Sequence, residues 1–412
     1  MNKFKTLLLS TALMTGQVMV NQNPEPVLFG TVTLTNGETK TGTLRWDKQE
    51  AFLSDIFNGY KSQTVGFEHL SEDEKDALLD HQPGPQANIG DLQITFKSFF
   101  GKEIDPPEFS VNFGAIKRID IDGSEVVLSL HDGSTISTDD NNNDTSDDIL
   151  VKTTEGETST HDFDDIKHIV FSAAPDDAKT FGDGIYGTVE SSIGTFAGRI
   201  MWDKDERMTD EELDGNADNK EYEIKFADIK VIEKTAQGDA SRVVLKDGEE
   251  LVIDGTNDVN RGNRGIWIDN PELGRVEVSW RQFEKLTIGP VDVKWHEFAD
   301  YAQASQPLSG RVQLKDGTNI TAQAITYDMN QQSGAEILES EIGGNTRLIP
   351  FYNVNKLSKN ENNLVELVLD SGVKTLALNH NSVTFNNNGL LLLSNNQYKY
   401  YPWEQIQTIE LD

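Results

Sequence analysis

The 412-residue chain contains no cysteine and only seven histidines. The absence of cysteine excludes disulfide bridges and thiol catalysis, so each folded unit must be held by its own apolar core. None of the histidines stands in a His-Glu-x-x-His pair or another zinc-ligand spacing. Gly-x-Ser-x-Gly nucleophile elbows and Walker-type phosphate loops are also missing. The sequence therefore carries no recognisable catalytic motif.

Positive charge is scarce. Lys and Arg total 36 against 69 Asp and Glu, which gives a formal net charge of −33. Nucleic acids and anionic membrane surfaces are bound through Lys and Arg, because these residues displace the counterions of phosphate groups. We therefore expect neither nucleic acid nor a membrane surface as a partner. The excess of acidic residues favours solubility over any specific acidic function.

Long hydrophobic runs are absent. The N-terminus has a basic start, Met1–Lys5, followed by a short apolar stretch, 6–16. This arrangement is typical of a secretory signal and is too short to span a bilayer. We predict a signal peptide over residues 1–22, with the position of the cut left open because no small-x-small site follows. The mature chain is then expected in the periplasm or outside the cell, with no membrane-spanning segment.

The chain contains one sequence pattern that occurs three times. Each copy opens with a strand pair around a tight turn, and each then reaches an aromatic-Asp pair. The openings are 30–37, 187–194 and 310–317, and the aromatic-Asp pairs are Trp46-Asp47, Trp202-Asp203 and Tyr327-Asp328. The period is too long for a solenoid repeat and is about the size of a small domain.

A second, related half follows in each copy. It opens with an alternating strand that enters an Asp-Gly or Asp-Ser-Gly turn, which is a strong hairpin signal. It closes with an aromatic residue and two apolar residues at a spacing of three, a pattern that suits a short 3₁₀ turn before a final strand. The openings are 126–133, 243–248 and 364–372, and the closures are 163–169, 280–286 and 403–409.

The sequence thus predicts an all-β fold of six small barrels, arranged as three tandem pairs with short helical insertions. The pairs are predicted over residues 27–172, 182–290 and 306–412. The hairpin with its terminal turn and strand resembles the five-stranded barrels of the SH3-like and Sm-like type. It is also similar to bacterial envelope proteins that string such barrels together, and this resemblance covers most of the chain beyond residue 27. Sm-like proteins bind RNA, which the acidic surroundings here argue against.

Helix signals are few. Ser71–Glu74 and Thr209–Glu212 both have the capping-box pattern, so each predicts a short helix. The acidic stretch 139–148 is predicted to be a solvated loop. Segments 172–178 and 299–307 are candidate linkers between semi-independent pairs.

The first two copies share the most specific local pattern, an aromatic-Asp-Lys element followed by a glutamate. The residues are Trp46, Asp47, Lys48 and Glu50 in the first copy and Trp202, Asp203, Lys204 and Glu206 in the second. In one interpretation the tryptophan is a stacking platform for a sugar or peptide and the charged residues form its polar rim. In the other, which we favour, the tryptophan closes the core and the charges pair locally at a turn.

A second candidate site is the loop 255–265, which is dense in Asn, Asp and Gly. Asp258, Asn260 and Asn263 offer oxygens of the kind that Ca²⁺ prefers. Only one carboxylate is present, however, and Arg261 and Arg264 oppose a cation. A loop held by Asx turns is the favoured alternative.

These observations lead to one functional expectation and two alternatives. We expect an exported, non-catalytic binding or scaffolding protein of the cell envelope, in which several weak sites act together on a protein or glycan partner. The alternatives are a Ca²⁺-responsive structural or adhesion protein, and a hydrolase whose carboxylate pair assembles only in three dimensions. No cofactor other than Ca²⁺ is expected.

Overall fold

The structure is a computed structural model, and it describes residues 25–47, 49–63, 65–81, 86–89, 92–95, 107–139, 143–377 and 380–412. The predicted signal peptide lies outside the described residues. The fold is all-β, as predicted, with antiparallel pairing throughout the described strands. We divide it by strand order into a first segment (β1–β12), a second (β13–β22) and a third (β23–β33).

The first segment forms an eight-stranded sheet in the order β11-β10-β2-β1-β12-β7-β8-β9, with β3–β6 and β4–β5 as separate pairs. Its opening strands flank a turn at Asn36-Gly37, where Gly37 has a φ of 88°. The strands are β1 Phe29–Leu34, β2 Thr39–Trp46, β3 Ile56–Tyr60, β4 Gln86–Ile89, β5 Leu92–Thr95, β6 Glu108–Asn112, β7 Ile116–Asp122, β8 Glu125–Leu130, β9 Thr135–Asp139, β10 Ile149–Thr153, β11 Thr158–His161 and β12 Ile166–Phe171.

The second segment repeats this order of strands within one sheet, β16-β15-β19-β18-β17-β22-β13-β14-β20-β21. As in the first segment, its opening strand β13 pairs with both the next strand and the last strand of the segment. The strands are β13 Ile185–Ser191, β14 Gly194–Met201, β15 Glu212–Ala217, β16 Lys220–Lys225, β17 Ile229–Lys234, β18 Ala240–Leu245, β19 Glu250–Asp254, β20 Ile266–Asn270, β21 Gly274–Val278 and β22 Phe283–Ile288.

The third segment divides the same order between a six-stranded sheet, β24-β23-β33-β28-β29-β30, and a three-stranded sheet, β25-β31-β32. Its hairpin β26–β27 extends the sheet of the second segment through pairing of β27 with β21. The strands are β23 Gly310–Leu314, β24 Asn319–Ala322, β25 Ala324–Tyr327, β26 Ile337–Ile342, β27 Asn345–Pro350, β28 Val354–Lys359, β29 Val365–Leu369, β30 Lys374–Ala377, β31 Leu390–Ser394, β32 Gln397–Tyr401 and β33 Ile406–Leu411.

Six separate barrels are not confirmed. Among the described residues no sheet closes on itself, and the two halves of each segment share one core. In the second segment, Ile185 and Trp202 of the first half pack in the same cluster as Val243 and Ile266 of the second half. The halves merge because the opening strand pairs with the closing strand, so neither half has an interior of its own.

One of the two predicted helices forms. Helix α1 (Glu72–His81) begins with the expected capping box, in which the Ser71 amide donates to Glu74 Oε2 at 2.8 Å. The prediction at Thr209–Glu212 was wrong, because Glu212 opens strand β15 and Leu213 is fully buried in the core. Pairing with β16 overrides the local capping signal there. A second short helix, α2 (Tyr301–Ala304), lies in the connection between β22 and β23.

The connection between β22 and β23 is not a free spacer. The Tyr301 side chain is 2% exposed and belongs to the core of the first segment. Phe298 packs edge-on against His131 of that segment, with ring centroids 4.7 Å apart. Trp295 packs against Tyr186 of the second segment in the same manner, at 6.0 Å. The connection, whose part 299–307 was a candidate linker between the second and third pairs, therefore packs on the first and second segments.

Candidate functional site

The matched aromatic residues lie inside the three cores. Trp46 and Trp202 have no exposed surface, and Tyr327 is 1% exposed. Each donates one hydrogen bond to a backbone carbonyl of a loop in its own segment: Trp46 Nε1 to Asp144 O, Trp202 Nε1 to Asp258 O and Tyr327 OH to Ser382 O. A fully buried ring presents no face to a ligand, so this placement favours the core interpretation over the stacking platform.

The aspartates that follow these rings shape a tight turn. Asp47, Asp203 and Asp328 all have a positive φ, between 48° and 55°. Asp203 is buried, and its carboxylate accepts hydrogen bonds from the Arg264 backbone amide and side chain. Asp328 accepts in the same way from the backbone amide of Asn388. These carboxylates therefore fasten the turn to a neighbouring loop.

The remaining charges of the element are divided among different partners. Lys204 Nζ contacts Glu277 Oε1 at 2.5 Å and lies 4.7 Å from the centre of the Trp267 ring. Glu50 contacts Arg207 of the second segment at 3.4 Å. Glu206 has a buried oxygen, Oε2, with no hydrogen-bond partner among the described residues. Lys48 lies outside the described residues. The structure thus does not gather these charges into one polar rim.

The predicted cation loop is held by Asx turns. Asn260 Oδ1 accepts from the Gly262 amide at 2.7 Å, and Asn263 Oδ1 accepts from the Gly265 amide at 2.9 Å. Asp258 Oδ2 accepts from the backbone amide of Asp214. No group of three or more His, Asp or Glu side chains in the described part of the chain has the geometry of a metal site.

A charged cluster that the sequence analysis did not identify lies where the segments meet. At its centre is Arg199, whose side chain has no exposed surface. Arg199 Nε donates to Glu25 Oε2 at 2.8 Å, and Nη2 donates to Asp55 Oδ1 at 2.5 Å and to Asp269 Oδ2 at 2.6 Å. We call the junction cluster the set formed by Arg199, Arg207, Arg275, Glu25, Glu50, Asp55 and Asp269.

The other two arginines complete this cluster. Arg275 Nε donates to Asp269 Oδ1 at 2.6 Å, and its Nη2 lies 3.4 Å from Asp55 Oδ1. Arg207 Nη1 lies 3.9 Å from the same Asp55 oxygen. Asp55 Oδ2 meanwhile accepts from the backbone amides of Ala51 and Phe52. Asp55, from the first segment, is therefore held by three arginines of the second.

These surroundings give the carboxyl groups of the junction cluster different pKa values. Burial opposes ionisation of Asp55, but Arg199, Arg207, Arg275 and the Ala51 amide together lower its pKa to about 2. Burial dominates at Glu25 and raises its pKa to about 7, because only Arg199 and the Ser54 hydroxyl favour its charged form. Burial likewise raises the pKa of Glu50 to about 7.

Beside the cluster is a groove with a volume of about 790 Å³, which we call the junction groove. It is formed by the start of the first segment, the connection 173–184 and the connection between β22 and β23. Its polar and aromatic lining residues include Glu25, Asp176, Asp183, Tyr186, Trp295, Glu297 and Phe298. None of the described lining residues is a Lys, Arg or His. A second cavity, of about 30 Å³, lies between Glu25, Arg275 and Tyr352 and is large enough for about one water molecule.

One spacing in the sequence points to the junction cluster. An acidic residue stands nine positions after each matched aromatic residue: Asp55, Glu211 and Glu336. In the structure each of these carboxylates accepts two backbone amides of its own turn and contacts a cation from another segment. The partner cations have no fixed spacing, so the sequence alone could not have paired them.

Comparison with protein-family models finds no match. Neither the curated proteins nor the solved structures give a significant match. Among the described residues no helix has the length and apolar character needed to cross a bilayer.

Proposed function

We propose that this chain is an exported, non-catalytic binding or scaffolding protein of the cell envelope, which holds a protein or glycan partner in the junction groove. The observation that carries the proposal is that a groove of about 790 Å³ lies against the point where buried ion pairs lock the segments together. Export rests on the basic and apolar N-terminal sequence.

One wall of the groove is held in place by the junction cluster. Arg199 joins Glu25 and Asp55 of the first segment to Asp269 of the second, and all four side chains are almost fully buried. Phe52, which also lines the groove, lies under the Arg199 guanidinium at 4.6 Å from the ring centre. A preformed site avoids the cost of ordering its walls on binding, which favours affinity even where contacts are few.

The lining suits a ligand that has both flat apolar surface and hydrogen-bond donors. The half-buried rings of Tyr186 and Phe298 supply aromatic surface, while Asp183 and Glu297 are exposed and can accept hydrogen bonds. Sugar rings stack on aromatic side chains and present hydroxyl donors to carboxylates. A protein segment with a basic residue satisfies the same chemistry, because the carboxylates supply the opposite charge.

Pull-down from envelope fractions tests the proposal. Wild-type protein is immobilised and compared with the double variant D183N/E297Q, whose two exposed positions should leave the fold intact. A matched control, R242M, removes a charge at an exposed ion pair of strand β18. We expect a protein or glycan that binds the wild type and R242M but is lost from the double variant. Capture by none of the three, or equally by all three, contradicts the proposal.

One observation favours a hydrolase as the second candidate. Glu25 borders the junction groove with a pKa of about 7, while Asp55 in the same cluster has a pKa of about 2. Two carboxyl groups whose surroundings separate their pKa values form the usual acid and base arrangement of hydrolases. Activity against glycosidic and ester substrates that disappears in E25Q would establish this candidate. The arginines that hold Asp55 argue for a structural role instead.

A further inference from the structure

A second groove, of about 490 Å³, lies in the third segment and is independent of the junction groove. It is bounded by the end of β28, the hairpin between β28 and β29, the loop after β30 and the turn before β33. Its walls include Lys359, Trp403, Leu364, Val383 and Phe385. We call it the Lys359 groove.

Lys359 is a buried cation without a close counter-ion. The residue is 7% exposed, and no carboxylate of the described residues lies within ion-pair distance of its amino group. Nζ donates to the backbone carbonyl of Trp403 and lies 3.8 Å from the centre of the Trp403 ring. An ammonium has three N–H donors, so this contact leaves capacity for further acceptors.

Burial of Lys359 also changes the pKa of its ammonium group. Burial, helped by the nearby charge of Lys315 and opposed by that of Glu404, lowers the pKa of the Lys359 ammonium to about 7. Lys315 and Glu404 also line the groove. An anion placed beside Nζ would compensate the charge that burial now penalises.

The rim of the groove is apolar and unusually exposed. Phe385 is 79% exposed and Leu364 is 38% exposed, and both line the groove. Exposed apolar side chains that border one cavity indicate a binding surface.

The second segment provides an internal comparison. Lys234 is the sixth residue of β17, as Lys359 is of β28, and it stands over Trp280 at 5.9 Å. Its Nζ donates to two carbonyls, those of Trp280 and Arg281. Lys234 is also half-buried rather than buried. A lysine over a tryptophan is thus present in both segments, but only in the third segment does the lysine line a groove with an apolar rim.

We propose that the Lys359 groove binds an amphipathic anion, a carboxylate carried on an apolar body. The carboxylate accepts from Lys359 Nζ, and the apolar body packs against Trp403, Leu364 and Phe385. The chemistry follows from the pairing of one buried cation, Lys359, with an apolar wall. This site and its ligand go beyond the proposed function, which concerns the junction groove.

Calorimetric titration of the full chain with decanoate tests the proposal. Two control ligands carry a ten-carbon alkyl chain with a different head group: 1-decanol is uncharged, and decyltrimethylammonium is a cation. We expect decanoate to bind best at pH 6, and the K359M variant to lose at least tenfold in decanoate affinity while keeping its affinity for decanol. K234M, the matched control, should bind decanoate as the wild type does.

A second variant keeps the test decisive if K359M does not fold. Phe385 is largely exposed, so F385S should fold normally and weaken the binding of decanoate and decanol alike, by about tenfold or more. Proton uptake gives an independent readout: at pH 8, decanoate binding should take up protons in the wild type and none in K359M. The proposal is overturned if the wild type does not bind decanoate, if the cationic probe binds as tightly, or if F385S and K359M both bind like the wild type.

Discussion

The Arg199 guanidinium of the second segment contacts the Asp55 carboxylate of the first, with Nη2 and Oδ1 2.5 Å apart and neither side chain exposed. A contact in the opposite direction is also present: Arg45 of the first segment lies 3.2 Å from the Glu211 carboxylate of the second. Asp55 and Glu211 occupy the same position in equivalent turns. The first two segments therefore each supply a cation to the turn carboxylate of the other.

The third segment joins through the same kind of turn. Glu336 accepts from the backbone amides of Gln332 and Ser333, and its other oxygen contacts Lys61 of the first segment at 2.5 Å. Lys61 also donates to the carbonyl of Asn330. One structural device, a turn carboxylate that receives a cation from elsewhere in the chain, thus connects all three segments.

Removal of Arg199 should strongly destabilise the chain. R199M leaves the buried carboxylates of Asp55 and Asp269 short of their main partner, and breaking a buried ion pair from one side costs about 3–5 kcal/mol. R242M, at an exposed pair, should leave the unfolding midpoint almost unchanged, because a solvated ion pair contributes little to stability. Urea denaturation followed by tryptophan fluorescence measures both. Equal unfolding midpoints would show that the junction cluster contributes little to stability.

Much of the strand pattern could be predicted from the sequence, because alternation and Asp-Gly turns are local signals. The hairpin around Asp132-Gly133, between β8 and β9, is one example. The division into cores could not be predicted, since it depends on which distant strands pair. Strand β13 pairs with β22, nearly 100 positions later, and this contact merges the halves that the sequence presents as separate.

The site was harder to predict than the fold. Trp46 and Trp202 stand out in the sequence because they recur, but the sequence does not state on which side of a strand each ring lies, and both rings are buried. Asp55 stands at a repeated position, nine residues after Trp46, but Arg199 lies 144 positions further along the chain and belongs to no motif. Their pairing arises only from how two segments dock, and docking leaves no local signal.

Stability should be greatest in mildly acidic solution. Several buried or half-buried carboxyl groups have a pKa raised to about 7 or 8, mainly by loss of solvation: Glu25, Glu50, Asp144, Glu206 and Asp328. Between about pH 4 and 7 these groups hold protons in the folded state that they lose on unfolding. Folding stability therefore falls as pH rises through that range.

Asp55 acts in the opposite direction and sets the acid limit. Its folded pKa of about 2 lies below the value of the unfolded chain, so its contribution is present above about pH 4 and is lost as pH falls towards 2. Denaturation at pH 3, 5 and 8 should therefore give the highest midpoint at pH 5. E206Q removes one of the raised groups and should reduce the loss between pH 5 and 8. A midpoint that rises from pH 5 to 8 would contradict the assignment.

The contact between Gly114 and Tyr301 should tolerate no added methyl group. A Cβ on Gly114 would lie 2.3 Å from Cε2 of the buried Tyr301 ring, so G114A must displace the connection between the second and third segments. Overpacking of this kind costs about 1–3 kcal/mol. Gly289 has open space around its position and is the matched control, because G289A should change stability by less than about 0.5 kcal/mol. Similar losses in both variants would show that the ring does not occupy this position.

Substitution of Trp202 separates the two interpretations of the aromatic-Asp element. The indole is fully buried, packs at 5.2 Å from the Phe283 ring and donates to Asp258 O at 3.0 Å. W202A should therefore cost about 3–5 kcal/mol of unfolding free energy, as for other buried aromatic residues. Lys204, two positions later, forms a half-buried ion pair, and K204A should cost about 1 kcal/mol or less. A ligand platform predicts the reverse, since loss of an exposed ring would reduce binding and leave the denaturation curve unchanged.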